Sequence, residues 1–388
     1  MHNKHDADFA RMFAQSVPRV EDHSDKWLRY AGQDVIPMWV ADMDLASPQP
    51  IVDALQARVA QQHFGYTKPW PSLQQAVCQW VERQHGWVID PSWLVWLPGV
   101  VQGFNTAQKS WGSKTSQTVV HTPNYPPLRT VTHKYHHGHQ SIPSLLDGNV
   151  WRTDWDALEA ALSAPETKLF HLCNPMNPEG TMWRLEDMER LAALCDRHDV
   201  IVCSDEIHAD LILDGSTHYP VGAQPLLAQR SVTLMAASKT FNIAGLACAF
   251  AIIPNAELRM IFTQTMAHET GEVNLLGLVA AEAALSHCDD WHKALLQHLR
   301  TQRDQLATEL AGTSVGYYPA SATHLAWLDC RRWAVDPYEH MLAHGLGLSD
   351  GTAFGCPGFL RLNFACGTDL FDQAIHRLRT AVAEAPLT

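Results

Sequence analysis

Residues 235–245 read Met235-Ala236-Ala237-Ser238-Lys239-Thr240-Phe241-Asn242-Ile243-Ala244-Gly245 and hold the strongest chemical signal in the chain. They continue the apolar run Ser231 to Met235, which has the composition of a buried strand. A lysine directly after such a strand, among small residues, is unusually placed for a surface charge. Burial lowers the pKa of a lysine and makes its amine nucleophilic toward carbonyl groups. Lys239 is therefore a candidate catalytic residue, with an ordinary surface lysine as the alternative.

Two other segments place polar side chains after apolar strands. Val200 to Ser204 is followed by Asp205-Glu206-Ile207-His208, and Lys168 to Cys173 is followed by Asn174-Pro175-Met176-Asn177-Pro178-Glu179-Gly180. Open α/β sheets bind ligands outside the carboxyl ends of their strands, so Asp205 could face a ligand, although a helix cap is the commoner role. The two Asn-Pro pairs and the glycine predict a rigid turn that could hold an amide side chain over the same ligand.

Around these segments, short runs that are apolar on both faces alternate with helical patterns. This alternation is typical of an α/β protein with a mainly parallel sheet covered by helices on both sides. The predicted strands are Leu94 to Leu97, Thr118 to His121, Lys168 to Cys173, Val200 to Ser204, Ser231 to Met235 and Leu246 to Ile253. The predicted helices are Pro50 to Gln62, Ser72 to His85, Val101 to Trp111 and Leu185 to His198.

The C-terminal part of the chain has a different pattern. A long helical pattern over Gly271 to Ala311 is broken near His287, and two strands and two helices follow it. They are expected at His324 to Cys330, Asp336 to His344, Phe359 to Phe364 and Asp369 to Ala383. We therefore predict an N-terminal arm (1–49), a large domain (50–285) and a small α+β domain (286–388) to which the arm contributes.

Composition narrows the functional classes. Of the 388 residues, 46% are hydrophobic and 18% are charged, which is ordinary for a folded protein. The formal net charge of -13 argues against partners such as nucleic acids and anionic membranes. The longest apolar stretch, Leu246 to Pro254, is shorter than the roughly 20 residues that span a bilayer, and no secretory signal is recognisable. The nine cysteines are odd in number and lack a C-x-x-C pair, which indicates buried thiols in a reducing compartment, so we expect a cytoplasmic protein.

Three other patterns carry less weight. His133, His136, His137 and His139 lack a carboxylate or cysteine at ligand spacing, so we expect a solvated loop and no metal site. The segment 312–316 matches G-x-S-x-G, but a helix and not a strand precedes it, which favours a plain turn. Walker and G-x-G-x-x-G nucleotide motifs are absent.

Taken together, the motifs resemble a known family. Asn-Pro-x-Gly at 177–180, Ser-Asp-Glu-Ile-His at 204–208 and Ser-Lys-Thr-Phe-Asn at 238–242 resemble the pyridoxal-phosphate (PLP) enzymes of fold type I, the aspartate aminotransferase superfamily. Trp39-Val40-Ala41-Asp42-Met43-Asp44, Phe64-Gly65-Tyr66 and Phe359-Leu360-Arg361-Leu362-Asn363-Phe364 are similar to the MalY/PatB group of cystathionine β-lyases. The resemblance implies PLP as cofactor and a large domain built on a mainly parallel, seven-stranded sheet.

The resemblance also implies roles for the candidate residues. Lys239 would carry the cofactor and take the Cα proton of the substrate. Asp205 would pair with the pyridinium nitrogen, and Asn177 would bind the 3-oxygen of the ring and help hold the substrate carboxylate. His208 would lie near the same oxygen, with a capping or solvent-facing histidine as its alternative.

The phosphate is expected where a strand turns into a helix. Residues 98–103 would place the backbone N–H groups of Val100 and Val101 at a helix N-terminus, and Ser238 would add a hydroxyl. Ile243 to Ala249 contains no arginine, so neutral donors would make this contact.

Two tyrosines complete the expected catalytic and cofactor-binding set. Tyr125 would stack on the pyridine ring, with a core aromatic as the alternative. Tyr66 resembles the tyrosine that reaches across a dimer interface to the neighbouring subunit's phosphate. The resemblance therefore implies an obligate homodimer with active sites at the interface.

The substrate end of the site is expected around Arg361. A guanidinium among apolar strand residues needs a partner, and the α-carboxylate of an amino acid fits it; a structural salt bridge is the alternative. Trp39 and Ala41 are expected to line the same end. His324 and Asp350 depart from the group's pattern, in which an aromatic and a proline are usual, and this puts the side-chain preference in doubt.

The family chemistry leaves three functions to weigh. A β-lyase would cleave L-cystathionine, cysteine or another S-substituted cysteine to a thiol, pyruvate and ammonia. An aminotransferase acting on an L-amino acid would use the same lysine, aspartate and arginine. Because MalY-type proteins can bind a transcription regulator, an additional regulatory role is a further alternative.

Overall fold

The computed structural model describes residues 2–19, 21, 23–267 and 269–388. Within these residues the strands are β1 (Ile36–Pro37), β2 (Leu94–Leu97), β3 (Gln117–Thr122), β4 (Gly138–Asp147), β5 (Val150–Thr153), β6 (Thr167–Cys173), β7 (Ile201–Asp205), β8 (Ser231–Met235), β9 (Ala249–Ile252), β10 (Gly316–Tyr317), β11 (Leu325–Asp329), β12 (Leu346–Gly347), β13 (Ser349–Asp350) and β14 (Phe359–Asn363).

The α-helices of the same residues are α1 (His2–Ala14), α2 (Asp25–Leu28), α3 (Gln49–Ala60), α4 (Pro71–His85), α5 (Val100–Trp111), α6 (Pro126–Arg129), α7 (Val131–Lys134), α8 (Trp155–Ser163), α9 (Leu185–His198), α10 (Pro225–Ala228), α11 (Ala256–Met266), α12 (Leu275–His287), α13 (Asp289–Leu310), α14 (Pro337–Ala343) and α15 (Thr368–Glu384). Short 3-10 helices occur at Pro91–Trp93, Val221–Ala223, Ala244–Leu246 and Gly351–Phe354. In this part of the chain no helix is both long and apolar enough to cross a membrane.

The largest sheet sets the position of the site. Its strand order is β2-β9-β8-β7-β6-β3-β4-β5. Strands β4, β3, β6, β7 and β8 are parallel, and β9 runs antiparallel to both β8 and β2. Strand β2 therefore points the same way as β8. The carboxyl ends of β2, β3, β6, β7 and β8 consequently meet at one edge of the sheet, the edge at which such sheets bind ligands.

The sheet has one strand more than the seven expected. The first six residues of β4 pair with β3. Its last four residues pair with β5 in an antiparallel hairpin, which adds the eighth strand. Sequence patterning did not locate β4, because its residues are mostly polar or half-exposed and include Pro143. The rest of the predicted α/β alternation is present, and α9 begins and ends at the predicted residues.

Helix α9 illustrates why the large-domain helices could be recognised. Its buried residues include Met188, Leu191, Ala192 and Cys195, a spacing of three and four that keeps one face toward the sheet. The helix ends at Asp199, which adopts a left-handed backbone with φ of 54°. A periodic apolar face with a defined end is the pattern that sequence analysis reads most reliably.

The N-terminal arm packs on the C-terminal elements. Strand β1 pairs in parallel with β12, placing Ile36 opposite Leu346, and the Asn363 N–H donates to the Met38 carbonyl at 2.9 Å. The other C-terminal strands form a sheet in the order β10-β11-β14-β13. The break between α12 and α13 falls at Cys288, one residue from the predicted position. The domain boundaries after residues 49 and 285 stay a prediction.

Candidate active site

One cavity opens where the five parallel strand ends meet. Each strand delivers polar or backbone groups to it: the start of α5 after β2, Tyr125 after β3, Asn177 after β6, the 205–208 turn after β7 and the 236–239 turn after β8. Ala41 of the N-terminal arm closes one side of the cavity. The predicted residues that line the cavity are Ala41, Val100, Val101, Tyr125, Asn177, Asp205, His208, Ser238 and Lys239.

Lys239 lies inside this cavity and not on the outer surface. Its Nζ donates to the Ala41 carbonyl at 2.6 Å. Burial lowers the pKa of Lys239 to about 8; the Arg361 charge adds to this effect, while Asp42 and Asp205 oppose it. A substantial fraction of the amine is therefore neutral near physiological pH, as a nucleophile or base requires.

Asp205 is the last residue of β7 and is buried. Its Oδ1 accepts from the Ile207 N–H at 3.2 Å, and no α-helix follows it, so it does not cap one. Burial raises the pKa of Asp205 to about 7, and the neighbouring Glu206 charge adds to the increase. A cationic group in the cavity would stabilise its ionised form.

Arg361 reaches the edge of the cavity through Asn177. Its Nη1 donates to Asn177 Oδ1 at 3.0 Å, and its Nη2 donates to the Trp39 carbonyl at 2.6 Å and to Ser349 Oγ at 3.3 Å. All three acceptors are neutral, and Nε has no hydrogen-bond partner within the described part of the chain. Burial lowers the pKa of Arg361 to about 10. A buried guanidinium surrounded by neutral oxygens favours an incoming carboxylate over the structural salt bridge that was its alternative.

Trp39 and Ala41 contribute through their backbones. Ala41 lines the cavity and accepts from Lys239, as described above. The Trp39 carbonyl binds Arg361, but its indole does not line the cavity, contrary to expectation. The reason is local: the indole N–H donates to the Lys26 carbonyl at 3.0 Å, and the Arg29 guanidinium lies 3.5 Å from the ring centroid.

The start of α5 forms the other end of the cavity. This twelve-residue helix begins at Val100 after Gly99, with no side-chain cap. The first N–H groups of a helix have no intrahelical acceptor, so those of Val100 and Val101 are available to an anion in the cavity. Ser238 lies at the same cavity and offers a side-chain hydroxyl beside these backbone donors.

His208 and Tyr125 both line the cavity. Burial lowers the pKa of His208 to about 3, with the Lys239 and Arg361 charges adding, so its imidazole is neutral. Its Nδ1 has no hydrogen-bond partner among the residues described, and its side chain is buried and not solvent-facing. Burial, together with the Asp205 charge, raises the pKa of Tyr125 and keeps its phenol protonated.

Tyr66 is a predicted residue that lies away from the cavity of its own chain. Its side chain is fully exposed, at 103% of the reference area, and the nearby Phe64 side chain is 58% exposed. Both lie in an irregular segment between α3 and α4. Two exposed aromatic rings so close together are unusual for a free surface and mark a surface suited to protein contact.

Three polar residues that hold the site were not singled out by sequence analysis. The Asn363 amide donates to the carbonyls of Val40 and Asp42. Asn242 accepts from the Met43 N–H and donates to its carbonyl, both at 2.9 Å. The two asparagines could have been predicted, because each is a polar residue inside an apolar motif around Lys239 or Arg361. Ser349 contacts Arg361, but nothing in its sequence surroundings indicates this.

The two departures from the family pattern have different surroundings. His324 is buried beside His208, with ring centroids 5.7 Å apart, and neither ring nitrogen has a partner. Asp350 is half-buried and accepts from the Thr352 N–H at 2.9 Å. In the histidine-rich segment, the His133 and His139 rings lie 5.2 Å apart. No cluster of potential metal ligands occurs among residues 2–19, 21, 23–267 and 269–388.

The fold and this cavity define a PLP-type α/β enzyme, and the chain belongs to the family described as aminotransferase class I and II, whose model matches residues 33–378. It is 35% identical over 387 residues to cystathionine beta-lyase PatB of Bacillus subtilis (strain 168), covering 96% of this chain and 100% of that one. It is 30% identical over 371 residues to protein MalY of Escherichia coli (strain K12), covering 91% of this chain and 93% of MalY.

Solved structures agree with this assignment. The crystal structure of OvoB is 39% identical, with a TM-score of 0.93 and coverage of 96% of this chain and 99% of that one. Cystalysin from Treponema denticola, whose structure contains PLP, is 26% identical, with a TM-score of 0.92 and coverage of 96% and 98%. The predicted family, the fold class and PLP as the cofactor are thereby confirmed.

Proposed function

We propose that this protein is a PLP-dependent carbon–sulfur β-lyase that acts on L-cystathionine or another S-substituted cysteine. The observation that carries the proposal is a single cavity lined by the low-pKa amine of Lys239, the Asp205 carboxyl group and Asn177, whose amide oxygen binds the buried Arg361 guanidinium at the edge of the cavity. Relatives that match nearly the whole chain are named cystathionine beta-lyase, which supports the lyase over the aminotransferase alternative.

The residues of the cavity fit PLP. The Lys239 amine suits the aldehyde, the Asp205 carboxylate suits the protonated ring nitrogen, and the α5 N-terminus with Ser238 suits the phosphate. The neutral imidazole of His208 and the Asn177 amide suit the 3-oxygen, and Tyr125 offers a ring face. When bound, PLP supplies an electron sink that stabilises negative charge at the substrate Cα.

Lys239 is the base for the substrate Cα proton. With cofactor and substrate bound, the Lys239 amine would take the proton from the substrate Cα. The Cβ–S bond breaks with its electron pair on sulfur, and the thiolate gains a proton to leave as the thiol. The remaining 2-aminoacrylate takes up water and yields pyruvate and ammonia, so one water is consumed for each substrate cleaved.

Arg361 and Asn177 orient the substrate for this step. The guanidinium binds the α-carboxylate through its planar donor fork, and Asn177 holds one arm of that fork at 3.0 Å. The Trp39 carbonyl and Ser349 fix the other arm. Fixing the carboxylate in this way directs the Cα–H bond toward the Lys239 amine.

We infer in addition that the enzyme is a homodimer in which Tyr66 enters the partner's cavity. Full exposure of Tyr66 and of the neighbouring Phe64 supports this assignment, as does the absence of Tyr66 from its own chain's cavity. A shared site predicts complementation between two inactive variants, Tyr66→Phe and Lys239→Ala. After mixed refolding, about a quarter of all sites should contain both native residues, because half the dimers are mixed and each has one intact site.

Complementation is measured as the activity of the co-refolded mixture against each variant refolded alone. Recovery near that fraction supports the shared site. A mixture no more active than the sum of its components contradicts it, provided that light scattering shows a dimer.

A cytoplasmic location belongs to the same proposal. All nine cysteines are free, and most are buried. Burial raises the pKa of several of these thiols, Cys173 and Cys203 among them, which keeps them protonated and unreactive. Titration of the natively expressed, unreduced and denatured protein should give nine thiols per chain; a lower count would indicate disulfides and an oxidising compartment.

Product analysis tests the reaction itself. Holoenzyme incubated with L-cystathionine and no oxo acid should release homocysteine, pyruvate and ammonia in equal amounts. An aminotransferase would instead form the 2-oxo acid of the intact thioether and release no thiol. Mass spectrometry of the quenched mixture separates these outcomes.

A further inference from the structure

A second cavity lies behind the turn that carries Asn177. Residues 174–180 present Asn177 to the active-site cavity and Met176 and Glu179 to this second cavity. Its other walls are the β4–β5 hairpin, the start of α9 and the segment 214–219. The two cavities have no lining residue in common, and no step of the proposed reaction uses the second one.

Glu179 is the principal group in this cavity. It is 4% exposed; its Oε2 accepts from Thr181 Oγ1 at 3.3 Å, and its Oε1 has no hydrogen-bond partner. Among the residues that the structure describes, no cation forms an ion pair with Glu179. Burial raises the pKa of Glu179 to about 7, although the hydroxyls of Ser144 and Thr181 oppose the increase. Burying a carboxylate without a partner cation costs free energy. The protein alone therefore does not supply the positive group that would stabilise an ionised Glu179.

His121 is a second buried group that lines the same cavity. It is 1% exposed, and neither ring nitrogen has a hydrogen-bond partner. Burial lowers the pKa of His121 to about 4, so the imidazole is neutral and offers one donor and one acceptor. Its ring lies edge-on to Trp183, with centroids 5.7 Å apart, which orients it within the cavity wall.

The remaining lining favours a positive ligand with a flat surface. The indoles of Trp155 and Trp183 lie 5.3 Å apart at 51°, and Trp151 also lines the cavity. The Arg190 guanidinium already lies 4.6 Å from the Trp155 ring centroid. Indole faces attract cations. The charged side chains of the lining are Arg152, Arg184, Glu179, Glu186, Asp187 and Asp214, which leaves an excess of carboxylates. Arg152 is already paired with Asp147 at 3.0 Å.

We propose that this cavity is a second ligand site, which takes a small organic cation bearing N–H donors, of the guanidinium type. The cation donates to the free Oε1 of Glu179, and its planar face packs against the indoles. A guanidinium matches both features, because it binds carboxylates through two donors and stacks on aromatic rings.

Calorimetric titration of the holoenzyme with butylguanidinium tests the proposal. This probe cannot condense with the PLP aldehyde as a primary amine would, and butylurea is its neutral analogue of similar shape. We expect one butylguanidinium per subunit, at least tenfold weaker binding of butylurea, and an unchanged cofactor absorbance. Glu179→Gln should weaken butylguanidinium binding at least tenfold, whereas Glu189→Gln, which removes an exposed carboxylate of α9 outside the cavity, should leave it unchanged.

Two results would overturn the proposal: no binding by the native holoenzyme, or binding that Glu179→Gln and Glu189→Gln leave equally strong. If Glu179→Gln does not fold, a crystal of native holoenzyme soaked with butylguanidinium decides instead. The cation in contact with Glu179 supports the site, and the cation found only elsewhere, or nowhere, contradicts it.

Discussion

The cofactor half and the substrate half of the active site are built in different ways. In the cofactor half, adjacent parallel strands carry the groups in fixed register: Cys173 lies opposite Asp205, and Asp205 opposite Leu234. In the substrate half, Arg361 is held by the Trp39 carbonyl, 322 residues away in sequence. One half is therefore set by a single sheet, and the other by contacts between the two ends of the chain. Substitutions in the N-terminal arm should therefore impair substrate binding more than cofactor binding.

Lys239 joins the two halves, since it follows β8 and binds the Ala41 carbonyl, and its loss should have the largest effect. We expect Lys239→Ala to lower the lyase kcat/KM by about 10³-fold or more, because the variant loses the amine that takes the Cα proton. Steady-state thiol release measures the effect. Lys168→Ala, which removes an exposed lysine of β6, should remain fully active. A Lys239→Ala variant with more than a tenth of native activity would contradict the assignment.

Removing a charge that is buried within the N-terminal arm should cost the most stability. Lys26 Nζ and Asp44 Oδ2 lie 2.6 Å apart with both side chains 1% exposed. Because Lys26→Met leaves a buried carboxylate without its closest cation, the free energy of unfolding should fall by about 3 kcal/mol. Urea unfolding followed by circular dichroism measures this change.

The matched control for that variant is Lys293→Met. It removes an exposed ion pair to Asp290 at 3.7 Å and should change the free energy of unfolding by less than about 0.5 kcal/mol. If both variants lower the free energy of unfolding by equally small amounts, the Lys26–Asp44 pair does not stabilise the arm. If Lys26→Met also raises KM without altering cofactor absorbance, the arm serves the substrate half specifically.

Arg361→Lys separates substrate binding from cofactor binding. A lysine keeps the charge but cannot form the planar fork, so about 1.5–3 kcal/mol of carboxylate binding should be lost. KM for L-cystathionine should therefore rise by about 10- to 100-fold, while the PLP absorbance stays native. A change confined to kcat, or a loss of cofactor, would mean that Arg361 does not bind the substrate carboxylate.

The smallest expected effect is a pH dependence within the cofactor half. The neutral amine of Lys239 captures the cofactor aldehyde, and its pKa is about 8 because burial disfavours the charged form. Cofactor uptake by apoprotein should therefore accelerate about tenfold per pH unit below pH 8 and level off above it. Stopped-flow absorbance gives the rates; a rate that still climbs tenfold per unit beyond pH 9 would indicate an ordinary lysine.

The same contrast between the two halves explains which residues of the site could be predicted from the sequence. Lys239, Asp205 and Asn177 could be predicted because each follows an apolar strand at the sheet edge where ligands bind, whereas His208 was predicted from the family resemblance. Arg361 stood out as a charge inside an apolar strand. The acceptors of Arg361 could not be predicted, because a backbone carbonyl has no residue type to mark it and Ser349 meets the guanidinium only after the fold brings them together.

Peripheral features were the least predictable. Strand β4 was missed because a strand of mostly polar or half-exposed residues lacks an apolar run. The orientation of the Trp39 indole depended on Arg29 and Lys26, whose contact with it follows from the packing of the arm. The role of Tyr66 depends on a second subunit and stays a proposal, as does any regulatory binding.

Counting turnovers tests the central claim most directly. Holoenzyme of known subunit concentration is given excess L-cystathionine without an oxo acid, and pyruvate and thiol are followed together. A β-lyase produces both continuously and in equal amounts, far beyond one equivalent per subunit. A 2-oxo acid that stops at one equivalent per subunit, without thiol and with conversion of the cofactor to its amine form, would contradict the lyase assignment.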